Sequence, residues 1–169
     1  KAKRKLNVNL FGSGAILNSA LRDQQILAEQ LGVSSQVWSV TSYTQLARDA
    51  QDCARWNTLH PTAEPRQSYL EQILEGQQGV FVSASDYVRA VAEQLRPWIP
   101  GDYCTLGCDG MGRSETREAL RRHFEVDAES IAIAALYRLQ KQGDVKAETV
   151  AKAIQDLGFD PEKQNPLWA

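Results

Sequence analysis

The chain has 169 residues, 43% of them hydrophobic and 24% charged, with 19 basic and 21 acidic side chains for a net charge of −2. That composition excludes a disordered or fibrous chain, lacks the basic excess of a nucleic-acid binder, and contains no apolar run near the roughly 20 residues that span a bilayer. The basic opening Lys1-Ala2-Lys3-Arg4-Lys5 leads into too short and polar a run for a signal peptide, and three cysteines fit a reducing compartment, so a cytoplasmic protein with neither nucleic-acid nor membrane partners is expected.

Leu6 to Phe11 alternates apolar and polar residues and runs into the turn Gly12-Ser13-Gly14, which reads as a first strand. Ile16, Leu17, Ala20, Leu21, Leu27, Ala28 and Leu31 then recur at helical spacing, with Gly32 as the stop. Ser35 to Val40 reads as a second strand. Ser42-Tyr43-Thr44-Gln45 has the form of a capping box and opens a helix carrying Leu46, Ala47, Ala50 and Ala54. Asn57 to Ser68 holds Pro61 and Pro65 and reads as a loop, and Tyr69 to Leu74 as a short helix. Gly79 to Ala84 is the clearest strand. Asp86 is placed to cap the next helix, whose apolar face is Val88, Val91, Ala92 and Leu95. Tyr103 to Gly107 is a fourth strand. After the loop Cys108 to Arg113, Ser114 caps a helix through Phe124. Two further helices run from about Ala128 to Gln142 and through Val150 to Leu157. Residues from Asp160 to Ala169 read as a tail. Strands separated by helices imply crossovers, hence an α/β fold with a largely parallel sheet between two helical layers.

Most motifs have an ordinary structural reading. Gly12-Ser13-Gly14 lacks the third glycine and the acidic residue of a dinucleotide site. Cys53, Cys104, Cys108, His60 and His123 are too scattered for a zinc site. No nucleophile elbow is present, and neither histidine lies near a serine or cysteine with the look of a nucleophile. Arg117, Arg121 and Arg122 with Glu115 and Glu118 read as a solvated face. The loop Asp109, Gly110, Met111, Gly112, Arg113, Ser114 is the exception. It leaves the carboxyl end of a strand, where ligands collect in open parallel sheets, and its two glycines free the backbone. Asp109, Gly110, Gly112, Arg113 and Ser114 are therefore the candidate interface or ligand residues. No catalytic, cofactor-binding or metal-binding residue is assigned.

The segment Asp109-Gly110-Met111-Gly112-Arg113-Ser114-Glu115-Thr116-Arg117 resembles the D-G-F-G-R-S-D-T-R of homodimeric bacterial pyruvate dehydrogenase decarboxylating components. Phe11 to Leu17 is similar to that family's L-G-S-G-T-I-L. Arg55-Trp56-Asn57, Leu59-His60-Pro61-Thr62 and Pro65-Arg66 follow its R-W-N-x-L-H-P-T-x-x-P-R. Ser85 to Arg89, Glu93 to Pro97 and Arg122 to Asp127 continue the resemblance in order. Met111 stands where the family has phenylalanine, and Cys108 where threonine is usual.

The resemblance covers about Leu6 to Pro166 and concerns only the family's last, transketolase-type C-terminal domain. It implies a three-layer fold with a mixed, mostly parallel sheet of about five strands. One domain over residues 1–169 is expected, with a core of about 6–158 and a tail of 159–169. The parent enzyme uses thiamine diphosphate and Mg²⁺, decarboxylates pyruvate and passes the acetyl group to the lipoyl group of the dihydrolipoyl acyltransferase component. Its cofactor sits between the preceding domains across a homodimer interface. The resemblance thus implies partners in those domains, the second subunit and the acyltransferase, and no cofactor or activity in this chain alone. A freestanding docking or regulatory module, or a domain of transketolase or oxoglutarate dehydrogenase, is the alternative.

Overall fold

The computed structural model describes residues 7–169. Leu6, expected at the start of the first strand and of the core, lies outside them. Four strands form: β1 (Asn7–Gly12), β2 (Ser34–Ser39), β3 (Val80–Ala84) and β4 (Asp102–Leu106). They pair in the order β2-β1-β3-β4. Every pairing is parallel. The helices between and after them are α1 (Leu17–Leu31), α2 (Tyr43–Leu59), α3 (Tyr69–Ile73), α4 (Arg89–Glu93), α5 (Arg117–His123), α6 (Ala128–Lys141) and α7 (Ala147–Asp156).

The five-stranded mixed sheet implied by the resemblance is corrected to four parallel strands among the described residues. Beyond Leu106 the apolar residues recur at a helical spacing, as in Ile131, Ala135 and Leu139, so the chain continues as α5, α6 and α7. No period-two segment is left there to add a strand.

Alternation along the strands divides the core into two layers. Val8, Leu10, Val80, Val82 and Ala84 pack with Ala20 and Leu27 of α1 and with Ile131, Ala135 and Leu136 of α6. Phe11, Phe81 and Tyr103 face the other way, against Tyr43, Ala47, Leu70, Ala92 and Leu95. Asn9, a polar position of the first strand, is wholly buried on this second face, where its Oδ1 accepts the indole N–H of Trp38 at 3.1 Å. Burial of an amide is tolerated there because its oxygen is paired.

Element boundaries moved in three instructive places. α2 runs on to Leu59 rather than giving way to loop at Asn57. The Asn57 side chain stays in the helix and braces the following loop, donating to the Arg66 carbonyl at 2.9 Å and accepting its N–H at 2.8 Å. Asp86 does not cap α4, whose N-cap Val88 offers no side-chain bond. Ser114 does not cap α5 either; that helix begins later, with the Thr116 hydroxyl accepting the Ala119 N–H at 3.3 Å.

Candidate functional site

Because all four strands run parallel, their exits after Gly12, Ser39, Ala84 and Leu106 share one edge of the sheet. β1 and β3 are neighbours, yet their crossovers diverge, toward β2 on one side and β4 on the other. That divergence marks the topological switch point, the crevice where open α/β sheets bind ligands. The loop from Gly107 to Thr116 emerges beside it.

The loop is tethered at its base and open at its tip. The Cys108 N–H donates to the Tyr87 carbonyl at 2.9 Å. A Cβ at Gly107 would lie 2.6 Å from that same carbonyl oxygen and 2.8 Å from the Arg89 nitrogen, so the two segments touch at backbone level. Asp109 completes the join. Its carboxylate accepts the Arg89 N–H at 3.0 Å and pairs with the Arg89 guanidinium. Asp109 therefore supplies the cap that Asp86 was expected to give α4, from 20 residues along the chain.

Gly110 has φ +98°, and a Cβ there would collide with the Pro166 carbonyl oxygen. Its close approach is thus to the chain's own last residues. Gly112 has open space around it. Arg113 and Ser114 are exposed. The Arg113 charge reaches His123, whose pKa is lowered by burial first and then by Arg113 and Lys163. The His123 ring is accordingly neutral at neutral pH.

Residues 160–169 form neither helix nor strand, but they are anchored. Lys163 Nζ donates to the carbonyls of Arg122 at 3.0 Å and His123 at 2.7 Å, and pairs with Glu125 at 3.2 Å. A cation thus closes the carboxyl end of α5, where free carbonyls and the negative end of the helix dipole favour it. Sequence reading missed this docking. A lysine in a proline-bearing tail carries no local signal that it reaches back 40 residues.

A second feature was missed. A cavity of about 440 Å³ lies at the same edge, lined by Ile16, Asp86, Cys108, Arg117, Leu120 and Phe124 among others. The i, i+4 spacing of Leu120 with Phe124 beside that of Arg117 with Arg121 was the available signal; the arginines were read instead as part of a solvated face. Cys108 in its wall has a thiol pushed up by burial first and then by Asp86 and Asp109, so it stays protonated at neutral pH.

These roles separate experimentally. Asp109→Ala removes the α4 cap and the Arg89 partner and should cost about 1–2 kcal/mol. Arg113→Ala should change stability by no more than about 0.5 kcal/mol, as at ordinary surface positions. Urea unfolding of both variants checks the contrast. Arg113→Ala proving the costlier change would make Arg113 an internal clamp.

Comparison with known proteins adds a family. A family model described as the transketolase-like TK C-terminal domain matches residues 1–127. The pyruvate dehydrogenase E1 component of Escherichia coli K12 is 48% identical over 166 residues, 98% of this chain and 18% of that protein. The pyruvate dehydrogenase E1 component of Pseudomonas aeruginosa is 44% identical over 162 residues, 95% of this chain and 18% of that protein. That of Haemophilus influenzae is 45% identical over 168 residues, 99% of this chain and 19% of that protein. The chain spans less than a fifth of the length of these relatives.

Proposed function

The chain belongs to the transketolase-like C-terminal domain family, and from that premise we propose that it is the C-terminal domain of a thiamine-diphosphate-dependent pyruvate dehydrogenase decarboxylating subunit. The observation that carries this reading is 44% to 48% identity to pyruvate dehydrogenase E1 components along nearly the whole chain. In this reading the whole subunit decarboxylates pyruvate and delivers the acetyl group to a lipoyl group of the acyltransferase component. Residues 1–169 are one domain of it, and their role is packing rather than chemistry.

In this reading the parent's metal is not held by this chain. Among the described residues no three His, Cys, Asp or Glu side chains gather as a cation site. Thiamine diphosphate and Mg²⁺ belong, in this reading, to the preceding domains and the second subunit. The sheet's carboxyl edge is the surface that meets them. Met111 and Trp168 are each 75% exposed there, with Tyr87 and Val88 of the tethered segment also exposed. Clustered exposed apolar side chains mark interaction sites. No helix among the described residues is long and apolar enough to cross a membrane. The three cysteines are free, which supports a reducing cytoplasm.

Two measurements test the proposal. Immunoblotting an extract of the source cells with an antibody to this domain should reveal a polypeptide far larger than 18.8 kDa. A band at 18.8 kDa alone would favour a freestanding module. Calorimetry of the chain with thiamine diphosphate and Mg²⁺ should show no saturable heat. Micromolar binding, or carbon dioxide released from pyruvate, would place catalytic machinery in this chain and overturn the assignment of packing.

A further inference from the structure

We propose that the cavity beneath α5 is a binding site for a small amphipathic carboxylate, an apolar body with one negative head. The inference rests on the cavity in this chain and does not require the reading of the whole subunit, in which neighbouring domains meet the same edge.

Position is the first support. Ala15 and Ile16 follow β1, Asp86 follows β3 and Cys108 follows β4, so the cavity opens at the switch point of the sheet. Its roof is held in place. The Arg122 guanidinium donates to the Leu157 carbonyl at 3.1 Å and pairs with Asp127 at 3.0 Å, while Lys163 clamps the end of α5. Its volume of about 440 Å³ falls within the range of small-molecule pockets, roughly 300–1,000 Å³.

Chemistry is the second support. Ile16, Leu120, Phe124 and Val126 make most of the wall apolar. Phe124 and Val126 flank Glu125, which takes φ 60° at the turn between α5 and α6. Cys108 adds a neutral, protonated thiol. The polar part is made of Arg117 and Arg121, set against Asp86. Two arginines one turn apart repel each other and weaken an isolated helix. Neither has an ion-pair partner among the described residues. An anion between them relieves that repulsion, and guanidinium forks suit a carboxylate. Asp86 lines the same cavity, and its negative charge disfavours a doubly charged head such as phosphate more than a single carboxylate.

The probe is octanoate, with octanamide as its uncharged counterpart, followed by amide chemical shifts in NMR titrations of this chain. Octanoate should bind saturably with a millimolar or tighter dissociation constant, as about ten heavy atoms allow, and shift resonances of Ile16, Leu120 and Phe124. Octanamide should bind at least about tenfold more weakly, the usual weight of a charge-assisted hydrogen bond. Arg117→Gln and Arg121→Gln should each weaken octanoate severalfold. Both positions are on the helix surface, and circular dichroism checks the fold. Ala15→Leu narrows the cavity without touching a charge and should weaken both probes together. Absence of saturation, equal affinity for the two probes, or unchanged affinity in the folded arginine or Ala15→Leu variants would each overturn the proposal.

Discussion

Phe81→Ala should lower the unfolding free energy by about 3–5 kcal/mol, the range for deleting a fully enclosed phenylalanine. Phe81 is the second residue of β3, an inner strand, and is fully buried. Its ring packs edge-on against Phe11, with centroids 5.9 Å apart, an arrangement that adds to simple burial. A Cβ at Gly101 would collide with the Gly79 carbonyl oxygen and come within 2.7 Å of the Phe81 ring, so the ring is closely enclosed on that side. Truncation therefore opens a cavity between α2, α3 and α4 that helices anchored elsewhere cannot readily close. Chemical denaturation of the two proteins measures the loss. A value under about 1 kcal/mol would mean that the second core layer collapses around the gap.

That layer was largely legible in the sequence. Gly79 to Ala84 announced a strand buried on both faces, because consecutive apolar residues point to opposite sides. The four strands and most helix stops followed from alternation, helical spacing and glycines such as Gly32, whose φ is +63°. What escaped notice depends on partners distant in the chain. Ser114 and Thr116 carry equivalent capping hydroxyls, and choosing between them requires knowing how far the loop extends. Asp109 tethers its start to Arg89, 20 residues back, and nothing near either residue encodes that pairing. The loop from Asp109 to Ser114 was found by its glycines, yet Gly110 turned out to accommodate Pro166 of the tail. The cavity beneath α5 was invisible for the same reason. Its wall draws on four segments that only the folded topology brings together.

One buried charge also went unnoticed in the sequence, and its effect on stability is testable. Asp23→Asn should stabilise the chain by about 2–5 kcal/mol at pH 8 and by little at pH 4. Asp23 lies on the inward face of α1, fully buried, and neither carboxylate oxygen has a hydrogen-bond partner. Its pKa is pushed up to about 8, by burial first and then by the charge of Glu129 on α6. Among the described residues no cation pairs with it. β1 and β2 beneath α1 carry no charged residue, and the nearby Arg22 is turned outward to Glu129 at 3.7 Å. The sign follows from the direction of the shift. Below about pH 4 the carboxyl is protonated in both folded and unfolded chains, and an amide replaces it at little cost. Between pH 4 and pH 8 the unfolded chain releases the proton while the folded chain keeps it, so native stability declines as pH rises. Above pH 8 both states are ionised and the penalty stays constant. Asparagine cannot ionise, so the gain from substitution should grow across that window and then level off. Urea unfolding of both proteins from pH 4 to pH 9 measures it. The difference between them isolates this one group, because every other titrating residue is common to both. A stability difference that stays flat with pH would mean that Asp23 is already solvated or paired, and that α1 and α6 do not enclose it as described.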